Sequence, residues 1–147
     1  MKHILVCTDG SRLSQNAVKA AVLLARDLGA RLTAYHAMEP FPVMPDPEYA
    51  AVLLAVRPDE WERIQSAGAQ AILKKREAMP AKADVPCSSR FDSPASPHEG
   101  IIAAAGKTKC DLIVMASHGR HGIRGLLLGS ETNKVLTHSK IPVLVYR

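Results

Sequence analysis

Aromatic side chains make up only 4% of this chain, so Ala, Val, Leu and Ile have to build its core. Cysteine is scarce too: Cys7, Cys87 and Cys110 are odd in number, scattered, and form no CxxC pair. That excludes a disulfide framework and a zinc knuckle, and fits reduced, mostly buried thiols in a reducing compartment. No apolar run approaches the about 20 residues needed to span a bilayer. The start, Met1-Lys2-His3-Ile4-Leu5-Val6, turns polar without the pattern of a signal peptide. A cytoplasmic protein with no membrane partner is expected.

Several chemical signatures are missing as well. There is no GxGxxG dinucleotide fingerprint and no GxSxG nucleophile elbow. Gly106-Lys107-Thr108 ends like a Walker A loop, but five residues separate Gly100 from Gly106 where that motif has four. A helical pattern, not a strand, precedes Gly106, so it reads as a helix stop. His118 and His121 have no cysteine or carboxylate at metal-ligand spacing.

What is present suits one domain spanning residues 1–147, with 47% apolar residues. The net charge of +5 is uneven: twelve basic and twelve acidic side chains cancel over residues 1–105. Residues 106–147 carry seven basic groups against Asp111 and Glu131, so the whole excess lies there. An anionic ligand would explain it, and so would solubility alone. Nucleic acid is disfavoured, because the basic residues are dispersed and no aromatic ladder accompanies them.

Periodicity gives alternating strands and helices. His3 to Thr8 reads as a buried strand stopped by Asp9-Gly10. From Ser14, Ala17, Ala20, Ala21, Leu24, Ala25 and Leu28 recur at helical spacing up to Gly29. Leu32 to Ala37 completes a strand–helix–strand unit, which implies a parallel sheet. Residues 39–58 interrupt the rhythm with five prolines around an apolar stretch, Tyr49 to Val56, and read as a lid or partner-binding segment, or as a loop packed on its own domain. A helix from Asp59 to about Met79 and a strand over Val85 to Phe91 follow. Ser96-Pro97-His98-Glu99 reads as a capping box opening a helix that Gly106 closes. Asp111 to Ala116 is the clearest strand. Ser130 is expected to cap a helix running to about His138, and Ile141 to Tyr146 to form the last strand.

The loop from Met115 to Ser130 carries the functional signal. A buried strand runs into Ser117-His118-Gly119-Arg120-His121-Gly122, with Gly125 and Gly129 before Ser130. Such glycines free the backbone to turn successive N–H groups toward an anion. The helix start at Ser130 adds N–H groups and a positive dipole end, and open parallel sheets bind ligands beyond their strands' carboxyl ends. A plain glycine-rich connection is the alternative. Asp9, at the end of the first strand, faces the same crevice if the first and fourth strands are neighbours.

Three segments together resemble the universal stress protein family. They are Ile4-Leu5-Val6-Cys7-Thr8-Asp9-Gly10-Ser11, Asp111-Leu112-Ile113-Val114-Met115-Ala116-Ser117-His118-Gly119, and Leu128-Gly129-Ser130 with the terminal Ile141-Pro142-Val143-Leu144-Val145. Its ATP-binding members have G-x2-G-x9-G-[ST] in this loop. Here the string is Ala116-x2-Gly119-x9-Gly129-Ser130, so Ala116 replaces the first glycine. If the backbone at Ala116 needs φ > 0, or packs against the sugar, Ala would cost about 1–3 kcal/mol.

The resemblance implies a doubly wound α/β domain, a five-stranded parallel sheet of order 3-2-1-4-5 flanked by four helices. It implies phosphate contacts at Gly119, Gly129 and Ser130, and nucleoside contacts near Thr8, Asp9, Ala37 and Met115. Ala116, Glu131 and Thr132 complete the expected nucleotide site. The expected ligand is ATP, with a divalent cation as an optional companion. The expected role is that of a stress sensor or regulator, without a catalytic group and with at most slow ATP hydrolysis. A homodimer through residues 142–146 is expected, and a dimer that binds partners without nucleotide is the rival reading.

Overall fold

The computed structural model describes residues 1–42, 57–119 and 128–147. The apolar run after Lys2 becomes strand β1 (His3–Cys7), and the chain turns at once into helix α1 (Arg12–Leu28). The turn is built by short polar side chains. Ser11 caps α1 by accepting from the Ser14 N–H at 3.1 Å, and Asp9 Oδ1 accepts from the Ser11 N–H at 3.0 Å. Gly10 has a φ of +83°, a conformation that favours glycine. The helix begins two residues earlier than its apolar spacing indicates, because the capping serine and not the first alanine fixes its start. Its end is as read: Gly29 is left-handed and its N–H closes the last turn.

Strand β2 (Arg31–Ala37) follows, and then helix α2 (Pro58–Lys82). Residues 43–56, which hold the apolar stretch Tyr49 to Val56 and most of the segment read as a lid, lie outside the described residues. Helix α2 runs past Met79 and carries Pro80 in its last turn. Strand β3 (Cys87–Asp92) starts two residues later than expected, with Val85 buried ahead of it. Helix α3 (Pro97–Lys107) absorbs Gly106, and the chain leaves it at Thr108, whose hydroxyl donates back to the Ala104 carbonyl at 2.6 Å. Strand β4 (Leu112–Ala116), helix α4 (Ser130–His138) and strand β5 (Val143–Tyr146) complete the order.

Two caps differ from expectation. Ser96 occupies the N-cap of α3, but its hydroxyl makes no capping bond. The N-cap of α4 is Gly129, so Ser130 is the first helical residue and caps nothing.

The five strands form one parallel sheet of order β3-β2-β1-β4-β5. Alternation along each strand sends side chains to two cores. Ile4, Val6, Leu32, Ala34, Leu112 and Val114 pack with Val18, Ala21, Val22 and Ala25 of α1 and Leu73 of α2. Leu5, Tyr35, Ile113 and Met115 pack on the other face with Ile101, Ala104 and Ala105 of α3 and Val135 of α4. Helices therefore cover both faces, as a doubly wound sheet requires. The order reverses between β1 and β4, so the switch point lies between Asp9 and the loop after Ala116.

Candidate functional site

At that switch point the strand ends frame a cavity of about 580 Å³, a size suited to a small-molecule ligand. All ten residues expected at a nucleotide site line it: Thr8, Asp9, Ala37, Met115, Ala116, Gly119, Gly129, Ser130, Glu131 and Thr132.

Each wall is held by bonds within the fold. Thr8 Oγ1 lies 3.1 Å from Ser14 Oγ, and the His36 ring donates from Nδ1 to the Thr8 carbonyl at 2.7 Å. Asp9 is fixed through Oδ1, while its Oδ2 would stand 2.9 Å from a Cβ placed on Gly119. The acid and the loop are thus in direct apposition, and a side chain at Gly119 would have to displace the Asp9 carboxylate. Behind the turn lies Arg76 of α2, a buried arginine whose Nη2 donates to the Gly10 carbonyl at 3.4 Å. Burial pulls its pKa down, and the nearby Asp9 charge opposes that shift.

The β4–α4 loop is closed at its neck. The Gly129 N–H donates to the Ser117 carbonyl at 2.7 Å, the Ser117 N–H to Tyr146 at 2.8 Å, and the Thr132 hydroxyl to the Ala116 carbonyl at 3.0 Å. A Cβ on Gly129 would meet His118 Cα at 3.2 Å, so glycine permits this approach. The first intrahelical bond of α4 is Asn133 N–H to Gly129. The N–H groups of Ser130, Glu131 and Thr132 precede it, and these three residues line the cavity. Arg120, His121, Gly122 and Gly125, also singled out in the sequence, lie outside the described residues.

The side chains divide the work. Thr132 and Thr8 spend their hydroxyls on the scaffold, which leaves backbone and shape to meet a ligand. The Glu131 carboxylate is committed as well: Oε2 accepts from the backbone N–H and the ring Nδ1 of His98, and Oε1 from Lys134. Burial alone would raise its pKa, but the bonds from Lys134 and His98 outweigh burial and hold it below the usual carboxylate value. Ala116 is buried at the end of β4 and does not have a positive φ, so the backbone strain that would demand glycine there is absent.

His118 of the glycine-rich loop also lines it, and sequence reasoning missed Cys7, Ser14, Tyr35, His36, Glu39, Gln65, Pro97 and Ile101, which complete the lining. Tyr35 and Ile101 carry a helix- or strand-core signal and nothing more. Tyr35 donates its hydroxyl to Asp92, and Gly100 leaves room for that hydroxyl. Burial pushes the Cys7 thiol pKa up, which disfavours the thiolate. Among the described residues no three His, Cys, Asp or Glu side chains gather as a metal site. No described helix is long and apolar enough to cross a membrane.

The family model for the universal stress protein family matches residues 1–147. The chain belongs to that family. A universal stress protein from Thermus aquaticus is 34% identical over 146 residues, covering 99% of this chain and 98% of the relative. Among solved structures, the universal stress protein UspA from Lactobacillus plantarum superposes with a TM-score of 0.82 at 26% identity, covering 99% of this chain and 97% of that one. A universal stress protein in complex with cAMP superposes with a TM-score of 0.71 at 29% identity, with the same coverage of both chains. The fold anticipated from the three segments is the family's fold.

Proposed function

We propose that this universal stress protein binds ATP at the β1–β4 switch point and acts as a stress-response sensor or regulator and not primarily as an enzyme. The observation that carries the reading is the neck of the β4–α4 loop. There Asp9, set against Gly119, and the start of α4 at Gly129 and Ser130 line one cavity, with an apolar end formed by Ala37, Ile101 and Met115. The apolar end suits a base and the helix terminus suits phosphates. The cAMP complex of a relative supports an adenine nucleotide. A divalent cation, where ATP brings one, would be held chiefly by the phosphates.

No residue is assigned a catalytic role in this reading, and any hydrolysis is expected to be slow. Mass spectrometry of the purified, undialysed protein should find ATP, and calorimetric titration should return a saturable isotherm. A protein empty on purification that takes up no added nucleotide would transfer the reading to a nucleotide-independent, partner-binding dimer. That reading is favoured by the exposed Leu144 on the edge strand.

A further inference from the structure

The start of α4 presents a contradiction for an anion site: its second residue is a glutamate. A carboxylate in the first turn favours the helix itself, but it repels phosphate charge brought to the same N–H groups. The structure deals with this charge by drawing it sideways. Glu131 Oε2 lies 2.9 Å from the backbone nitrogen of His98, in the first turn of α3, and 3.1 Å from the ring Nδ1. An ionised carboxylate can only accept, so the His98 ring carries its proton on Nδ1 and donates. Lys134 holds the other oxygen at 2.7 Å. Glu131 thus takes the anion position at the start of α3, next to Pro97, and two helix termini share one cavity wall.

Resting on the nucleotide reading above, we infer that the Glu131–His98 pair sets how many phosphates this site accepts, with His98 as the positioning residue that holds the carboxylate away from the start of α4. The ring of His138 lies beside that of His98, the two centroids 6.0 Å apart. Each added phosphate brings more negative charge against Glu131, so the penalty grows from AMP to ATP and is absent for adenosine.

Calorimetric titration of adenosine, AMP, ADP and ATP into the full chain tests this. Glu131→Gln should tighten ATP by about three- to tenfold, the range of a charge near a helix terminus, and leave adenosine unchanged. His98→Ala should weaken ATP by a similar factor, ADP less, and adenosine not at all. His98→Asn, which keeps a donor near the Nδ1 position, should restore most of the loss. In the Glu131→Gln background, His98→Ala should have no further effect. Loss of adenosine along with ATP in His98→Ala, or a loss that persists in the double variant, overturns the inference and makes His98 merely structural. Should His98→Ala not fold, Glu131→Gln decides alone, since an ATP affinity that does not rise relative to adenosine also overturns it. An unaltered protein that binds none of the four ligands sinks the nucleotide reading itself.

Discussion

Three small residues decide whether the cavity can take phosphates, and each makes a different demand. At Gly119 the obstacle to a side chain is Asp9, whose carboxylate can rotate only by giving up its bond to the Ser11 N–H. Gly119→Val should therefore remain folded with only a small loss of stability, while ATP affinity disappears. At Gly129 the obstacle is backbone, which cannot step aside, so Gly129→Ala should cost about 1–3 kcal/mol as overpacking and loosen the loop neck. Ser130→Ala should leave thermal stability nearly unchanged, because its hydroxyl caps nothing, yet weaken ATP. Chemical denaturation beside calorimetric titration separates the three cases. A large stability loss in Ser130→Ala would mean that its hydroxyl is structural after all. Gly119 and Gly129 were legible in the sequence from the glycine-rich run between a buried strand and a helix, and from its resemblance to the family's loop. The partner of Glu131 was not: His98 lies 33 residues away on another helix, and only the packing of α3 against α4 brings them together.

At the scale of elements, strands and helices were legible from apolar period and glycine stops, while their ends depended on polar contacts that no period records. Ser11 extends α1 beyond its apolar spacing, whereas Ser96, in a stretch that reads as a capping box, leaves its hydroxyl unbonded. The pairing of β1 with β2 carries a pH dependence of its own. His3 is buried with Nε2 2.8 Å from Thr33 Oγ1, and Nδ1 has no partner. Burial first, and then the charge of Arg31, lower its pKa, against smaller opposing effects of the Thr108 backbone and Asp111. The unfolded chain then binds a proton more readily than the folded one. The stability that neutral His3 contributes is complete above the unfolded value of about 6.5 and is lost as pH falls through the folded one. The midpoint of urea unfolding should accordingly drop as pH falls below about 6.5. His3→Asn should flatten that part of the profile, and an unchanged slope in this variant would assign the effect to other groups.

For the whole molecule, the sheet order leaves two edges, and they are not equivalent. Strand β3 presents Ser88, Ser89 and Arg90 to solvent, the polar dressing that discourages further pairing. Strand β5 is short and apolar, and it pairs only with β4 among the described residues. Pro142 stands just before it, where a missing N–H costs no ladder bond, while its carbonyl still accepts from Ile113 at 2.9 Å. Val143 packs into the core shared with α3 and α4, so alternation turns Leu144 to the opposite face, where it is 39% exposed. On α4, Leu136 is 40% exposed. An apolar edge with open backbone groups and an exposed leucine is suited to a second copy of itself, because a twofold pairing covers the same residues on both chains. We therefore expect a homodimer joined through residues 142–146. Light scattering at micromolar concentration should return twice the chain mass of 15.9 kDa. Leu144→Lys should shift it toward monomer by placing like charges across the seam, with the nucleotide cavity, built from other strand ends, still able to bind. A monomeric unaltered protein, or a dimer indifferent to both Leu144→Lys and Leu144→Pro, would place any assembly on another surface.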